Sequence, residues 1–289
     1  MQRSDVRKGL PTYVRPDRFT DVIEVSDQNR VGGSREHFFH FLLGYLLPLV
    51  SEQTQRPEPH FGVLDCGPLM NPHLVETLER LQFSFEVVAN HRITNPRFVP
   101  TGDRSNWTHD ESVQLVIDRV KDAWFSAGDC EKEGPLNSCP QHRRLLLMRS
   151  PTHPYYSSQG SAELPGYGIG RRGISNLLEV SQFLTASGVG HDLYEPGQHS
   201  LGCQIRAFTR ATHAVGIRGA EWANIIWSSS ALKALVFDPN PPAKLLQNLL
   251  QNRRISYEIV PVKTHHVSID PGVIATFLTG SPDFGRSAP

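Results

Sequence analysis

The chain has little cysteine and no excess of charge of either sign. Four cysteines in 289 residues are too few for a disulfide scaffold. Lysine and arginine together number 29, as do aspartate and glutamate, so a basic surface for nucleic acid is not expected. Cys130 and Cys139 lie in a polar loop and would pair only in an oxidising compartment. Their spacing matches no metal motif, so free thiols are favoured.

Long apolar runs are also missing. The longest one, at 38–50, contains His40 and Pro48 and is shorter than the ~20 residues of a membrane-spanning helix. The first ten residues lack the apolar core of a secretory signal. We therefore expect no membrane span in this chain. We expect a cytoplasmic location, or the Golgi or endoplasmic reticulum lumen if the chain is trimmed from a longer protein.

What the sequence does contain is a regular alternation of short apolar strands with amphipathic helices. The first half predicts strands at 19–25, 60–66 and 84–89, and helices after the N-cap candidate Ser34, at 72–81 and at 110–126. The second half predicts strands at 143–149, 191–195, 212–217, 233–239 and 256–262, and helices at 174–187, 200–210, 221–230, 241–252 and 271–278. This alternation is typical of an α/β fold with parallel, doubly wound sheets. A Gly-, Pro- and charge-rich stretch at 128–142 predicts two domains, 1–140 and 141–289.

The stretch at 212–230 is the one most typical of a ligand site. A buried strand is followed by the turn Arg218-Gly219-Ala220 and then by a helix. A phosphate binds well in such a turn, because unpaired N–H groups and the positive end of the helix dipole face it. Arg218 would add a permanently charged, bidentate partner. An ordinary turn with a solvated arginine is the alternative, and on this stretch alone it is the better supported one.

Residues 195–224 also resemble the C-terminal block of glycosyltransferase family 61, E-x(4)-S-x(3)-Q-x(n)-G-x-H-G-A-G-L-x-N. The matching positions are Glu195, Ser200, Gln204, Gly216, Gly219, Ala220 and Asn224. Three positions depart from the block: Arg218 stands in place of His, Glu221 in place of Gly and Trp222 in place of Leu. The chain is thus similar to a divergent member of the family.

Two further segments carry the same resemblance. Arg172 to Glu179 is similar to R-x-[IV]-x-N-x-x-E and includes Asn176, with Arg171 as the alternative for the motif arginine. Arg149 stands at the end of the preceding strand as in the family. Residues 37–48 are similar to N-x-x-H-[FW]-L-x(3)-L-P, with His37 in place of Asn and His40 at the motif histidine.

The resemblance implies two Rossmann-like domains facing a cleft, the GT-B arrangement, with the nucleotide on the C-terminal domain. It implies an inverting transfer of a sugar from a UDP-sugar to a glycan hydroxyl. Xylose, N-acetylglucosamine and arabinose are the candidate sugars. No Asp-x-Asp pair occurs in the sequence, so we expect arginines and a helix dipole, not a metal or other cofactor, to neutralise the diphosphate. A non-catalytic nucleotide- or glycan-binding protein on the same scaffold is the alternative.

The expected nucleotide contacts combine the resemblance with the position of each residue at a strand end. Glu195 would bind the two ribose hydroxyls, or would equally be an acid at a helix N-terminus. For Ser200 a helix cap is favoured over a phosphate contact. Arginines are most often surface charges, but two that flank a loop at the carboxyl edge of a parallel sheet favour phosphate. The full set is Arg149, Arg172, Asn176, Glu195, Ser200, Gln204, Arg218, Gly219, Ala220 and Asn224.

His40 and Glu36 are the candidate catalytic residues. Four positions apart on one predicted helix, they would let the carboxylate orient the imidazole or act as the base itself. We favour His40 as the base, because imidazole titrates near neutral pH and the resembled motif keeps it. A histidine satisfied within the core is the alternative for His40.

Overall fold

The computed structural model describes residues 22–25, 35–55, 57, 59–88, 96–99, 111–125, 139–149, 151, 153–157, 170–242 and 244–280. The chain divides into two compact units, Met1–Trp124 and Phe125–Pro289. Most of the predicted boundary at 128–142 lies outside the described residues, as do Ser34 and Cys130. Among the helices of the described ranges, none is long and apolar enough to cross a membrane.

The first unit contains a parallel sheet of four strands. These are β1 (Val22–Val25), β2 (Phe61–Leu64), β3 (Phe85–Val88) and β4 (Pro96–Val99), in the order β3-β2-β1-β4. The sequence analysis missed β4, which lies in a segment that we expected to be a connection. Pro96 explains the error, since a proline weakens a strand pattern and yet is tolerated at the first position of a strand.

The described residues of this unit include four α-helical segments: α1 (Phe38–Phe41), α2 (Leu47–Gln55), α3 (Gly67–Arg80) and α4 (Glu111–Phe125). A π-helical turn, Leu42–Leu46, joins α1 to α2 without a break. Pro48 has no N–H, and in a regular α-helix its ring would clash with the carbonyl four residues earlier. The wider π turn immediately before Pro48 relieves that clash. The helix therefore continues through a proline that would otherwise end it.

The second unit is built on a parallel sheet of five strands. These are β5 (Arg144–Leu147), β7 (Asp192–Tyr194), β8 (His213–Ile217), β9 (Lys233–Asp238) and β10 (Ser256–Pro261), in the order β10-β9-β8-β5-β7. Two short strands, β6 (Gly173–Ile174) and β11 (His266–Val267), pair with each other in a separate ribbon. Its described helices are α5 (Leu177–Ala186), α6 (Leu201–Arg210), α7 (Lys244–Asn252) and α8 (Pro271–Thr279), with 3-10 helices at Pro154–Ser157, Pro196–Gln198 and Ala220–Trp227.

Both faces of the central strands of the five-stranded sheet are buried. On one face a single hydrophobic cluster joins the strands to α5 and α8, which pack on each other; it includes Leu146, Val215, Ile217, Leu235, Phe237, Val180, Leu184, Ile274 and Phe277. The alternate strand residues, which point to the other face, are buried as well, among them Leu145, Leu147, Ala214 and Val236. Apolar residues on both faces are the mark of a parallel sheet covered on each side. The predicted parallel α/β architecture is confirmed, and it is compatible with a Rossmann-like fold.

The strand order of the second unit has one reversal. Its first long strand, β5, lies between β7 and β8, so the chain proceeds to one side of β5 first and to the other side afterwards. In sheets of this kind ligands bind beyond the carboxyl ends of the two strands at which the order reverses. The residues that follow β5 and β8 are therefore the expected ligand contacts.

Candidate functional site

Arginines follow both strands at this reversal. Arg149 comes two residues after the end of β5, and Arg218 comes directly after β8. A third arginine, Arg172, immediately precedes β6 and reaches the same place. The Nη1 atoms of Arg149 and Arg172 both donate to the main-chain oxygen of Arg218, at 3.4 and 3.0 Å. The structure thus brings together three residues that the sequence analysis predicted as phosphate contacts.

Two carboxylates lie among these arginines. Arg149 Nε is 3.2 Å from Glu221 Oε1, and Arg218 Nη1 is 3.1 Å from Asp238 Oδ2. The register of β8 on β9 pairs Ile217 with Phe237, which places the residues that follow them, Arg218 and Asp238, side by side. Asp238 has no exposed surface, and its other oxygen accepts from the N–H of Asn240 at 2.9 Å.

The sequence analysis predicted neither carboxylate as a site residue. For Asp238 a signal was present, because it is a charged residue at the end of a buried strand that lies next to β8. Glu221 was visible only as a departure from the resembled motif.

The cluster holds more positive than negative charge. Three guanidinium groups face two carboxylates, and Arg172 makes no ion pair with any residue in the described ranges. Burial, followed by repulsion from Arg171, Arg149 and Arg218, lowers the pKa of Arg172 to about 10, although Asp238 acts in the opposite direction. Arg172 therefore stays charged at neutral pH, although it is only 7% exposed.

Several polar atoms of the cluster are buried without a hydrogen-bond partner in the described part of the chain. They are Nε of Arg149, Nε of Arg172 and Oε2 of Glu221. A buried donor on a charged group that stays unpaired costs free energy, so native proteins rarely leave one without a reason. An anion with several oxygens would pair with both arginine Nε groups and would neutralise the excess charge.

The turn that follows β8 differs from the prediction in one respect. The segment after Gly219 is a 3-10 helix, Ala220–Trp227, and not the α-helix expected at 221–230. Its tighter winding aligns side chains three positions apart, and Trp227 Nε1 accordingly donates to Asn224 Oδ1 at 3.1 Å. The side chains from Trp222 to Trp227 are buried.

At Gly219 the space above the backbone, and not the backbone angles, is what a larger residue would disturb. Its backbone is extended (φ −165°, ψ −174°), a conformation open to any residue. A Cβ at this position would overlap Oε2 of Glu221 and would lie 2.8 Å from Nη1 of Arg149. The ion pair between Glu221 and Arg149 therefore passes directly over the backbone of Gly219.

Gln204 and Asn224, two of the predicted nucleotide contacts, form a buried chain of hydrogen bonds. Asn224 Nδ2 donates to Gln204 Oε1 at 2.9 Å, and Gln204 Nε2 donates to the oxygen of His199 at 3.0 Å. With Trp227 also bound to Asn224, these amides fasten the 3-10 helix to the start of α6. Their side chains are engaged within the protein, and direct contact with a nucleotide stays a prediction.

The remaining predicted contacts also have local partners. Asn176 pairs with the main chain of Ile269 through two hydrogen bonds of 2.9 Å each. Ser200 caps α6 by accepting from the N–H of Cys203 at 3.2 Å, which confirms the favoured interpretation. Glu195 follows β7 and accepts from Gln198 Nε2 at 3.0 Å. Ala220 is the first residue of the 3-10 helix.

In the first unit the prediction that Glu36 and His40 lie on one helix is wrong. The helix begins at Phe38, and its N-cap His37 has an extended backbone (φ −103°, ψ 128°). Glu36 therefore precedes the helix, and the two residues are not one helical turn apart. The ring of His40 lies 5.6 Å from that of His37 and 5.7 Å from that of Phe39, centroid to centroid.

Comparison with known proteins adds no assignment to this site. No protein-family model and no curated protein sequence matches the chain. Membership of glycosyltransferase family 61 therefore stays a prediction.

Proposed function

We propose that the second unit binds the diphosphate of a nucleotide sugar, and that the protein is an inverting glycosyltransferase. The observation that supports this best is the excess of buried positive charge at the strand reversal. Arg149 and Arg172 both donate to the main-chain oxygen of Arg218, and the three arginines have only two carboxylates among them. A phosphorylated ligand would supply the missing negative charge, and permanently charged planar guanidinium groups suit its oxygens.

The chemistry that follows is the transfer of a sugar from a UDP-sugar to a glycan hydroxyl, with xylose, N-acetylglucosamine or arabinose as the sugar. As the bond to the diphosphate breaks, negative charge grows on the departing oxygen, and fixed arginines would stabilise it. The proposal assigns this task to arginines and not to a metal ion. It also includes the GT-B arrangement and a base from the first unit, His40 or Glu36, that removes the proton of the acceptor hydroxyl.

The binding half of the proposal is tested by calorimetry with UDP. The informative variant is Arg172→Ala, because Arg172 has no carboxylate partner in the described chain and its loss leaves no buried acid unpaired. Loss of a charge-assisted hydrogen bond weakens binding by about 1.5–3 kcal/mol, which corresponds to roughly 10- to 150-fold in Kd.

Arg171→Ala is the matched control. It removes the same charge from the neighbouring position, where the side chain is exposed, and we expect it to change Kd by less than about 3-fold. Equal UDP affinity in the native protein and in Arg172→Ala would place the nucleotide elsewhere and would refute the assignment of this site.

The catalytic half is tested by turnover. A panel of UDP-sugars should be hydrolysed slowly, or transferred to an acceptor glycan, at a rate that EDTA leaves unchanged. A strict need for added Mn²⁺ or Mg²⁺ would contradict neutralisation of the diphosphate by arginines alone.

A non-catalytic binding protein on the same scaffold is the second candidate. It is favoured by the amide side chains of Asn176, Gln204 and Asn224, which are bound to protein groups. Glu221 also favours the binding protein, because its carboxylate lies in the turn that a phosphate would enter. Stabilisation of the protein by UDP, without turnover of any UDP-sugar, would favour this function over the transferase.

A further inference from the structure

The carboxylate of Glu221 occupies the space over the glycine turn. It folds back across Gly219 to reach Arg149, and a Cβ on Gly219 would overlap its Oε2 atom. Glu221 also lies in the first turn of the 3-10 helix. Helix N-termini favour negative charge, because their unpaired N–H groups and dipole point outwards there. Glu221 thus stands where an anion would be bound most favourably.

The Glu221 carboxylate is only partly satisfied by hydrogen bonds. Oε2 of Glu221 and Nε of Arg149 both lack a hydrogen-bond partner among the described residues, although a well-aligned arginine–carboxylate pair would satisfy both. The neighbouring pair is better satisfied, since Asp238 accepts from Arg218 and from the N–H of Asn240. Of the two carboxylates, Glu221 is therefore the one that a ligand can displace.

Arg172 has no carboxylate partner in the described chain even when Glu221 pairs with Arg149. Arg172 is held by the same carbonyl oxygen as Arg149, and its buried Nε has no hydrogen-bond partner in the described chain. A single phosphate group carries about −1.5 to −2 at neutral pH, so its exchange for the carboxylate on Arg149 adds at most about one negative charge to the cluster. An anion with two linked phosphate groups carries more charge and would neutralise Arg149 and Arg172 together.

We propose that Glu221 is an internal competitor of the ligand, and that it makes the site selective for diphosphates over single phosphates. This inference rests on the proposed phosphate site. In the free protein Glu221 neutralises Arg149, and a diphosphate displaces it while pairing with Arg149 and Arg172 together. A monophosphate gains too little to displace it.

The experiment measures the affinity of inorganic pyrophosphate and of orthophosphate by calorimetry. Glu221→Gln removes the competing charge, and we expect it to tighten pyrophosphate by about 10-fold or more. It should tighten orthophosphate by a larger factor, so that the ratio of the two affinities falls. UDP should follow pyrophosphate.

Two further variants distinguish competition by Glu221 from a general effect of removing one negative charge. Glu221→Asp keeps the charge but shortens the side chain by one methylene, so its carboxylate no longer reaches Arg149, and pyrophosphate should again bind more tightly. It also serves if Glu221→Gln fails to fold. Glu258→Gln removes an exposed carboxylate from β10, and we expect it to leave both affinities within about 2-fold of the native values.

The outcomes separate this inference from the proposed function. If pyrophosphate binds the native protein and neither Glu221 variant tightens it, Glu221 is not a competitor, but the phosphate site stands. An equal gain in Glu258→Gln would show a general charge effect and would overturn the competitor as well. If neither the native protein nor any variant binds pyrophosphate, orthophosphate or UDP, both the inference and the phosphate site are wrong.

Discussion

The pair between Arg218 and Asp238 allows a stability prediction with a magnitude. Asp238 has no exposed surface, and it accepts hydrogen bonds from Arg218 and from the N–H of Asn240. Arg218→Met removes the guanidinium group and leaves a buried carboxylate with a single donor. Removal of one partner of a buried ion pair costs about 3–5 kcal/mol. The Arg218 side chain is 22% exposed, so water can partly replace it, and we expect about 3 kcal/mol.

The loss would be measured by calorimetric and urea unfolding. For a unit of about this size each kcal/mol lowers Tm by roughly 2–4 °C, so a decrease of about 6–12 °C is expected. Adding Asp238→Asn to Arg218→Met removes the unpaired charge and should recover more than half of the lost free energy of unfolding.

Arg172→Met is the matched contrast. Arg172 is buried like Asp238 but has no carboxylate partner in the described chain and is repelled by the arginines around it. Its removal should leave Tm unchanged or raise it. If Arg218→Met unfolded at the native temperature while Arg172→Met lost several degrees, the charge distribution that we describe would be wrong.

Three further predictions concern single positions. Gly219→Ala should lower the free energy of unfolding by up to about 1 kcal/mol in urea, because its Cβ pushes Glu221 away from Arg149; a smaller loss in a Glu221→Ala background would confirm the overlap, and an unchanged loss would contradict it. Burial lowers the pKa of His73 to about 4, so the unfolded chain takes up a proton below about pH 6.5 that the folded chain does not, and stability should fall between pH 6.5 and 4 by up to about 1.4 kcal/mol per pH unit. His73→Phe should flatten that decline, and an identical slope would refute the assignment. His40→Ala should lower kcat by about 10²–10⁴ with unchanged UDP affinity, whereas loss of folding in His40→Ala together with loss of turnover in Glu36→Gln would make Glu36 the base.

The repeating pattern of apolar residues was enough to predict most of the fold. Strands such as β8 and β9 are buried on both faces, so their sequences are continuously apolar and easily recognised. The errors occur where a local rule has an exception. Pro96 is the first residue of β4, where a proline is tolerated, and the apolar pattern alone does not show this.

The site was only partly predictable, because its chemistry depends on contacts between distant residues. The position of Arg149 and Arg218 at strand ends followed from the expected parallel sheet. That Asp238 would neutralise Arg218 depends on the register of β8 on β9, across 20 positions of sequence. The hydrogen bond between the side chains of Gln204 and Asn224 was equally unpredictable, because in sequence both residues resemble ligand contacts.

The main-chain oxygen of Arg218 accepts from both Arg149 and Arg172. Every residue type supplies that oxygen, so position 218 can change its side chain while the other two guanidinium groups keep their anchor. The charge of the cluster can therefore be changed at position 218 together with its partner Asp238. A neutral residue at both positions would remove one charge of each sign and leave Arg149 and Arg172 on the same oxygen.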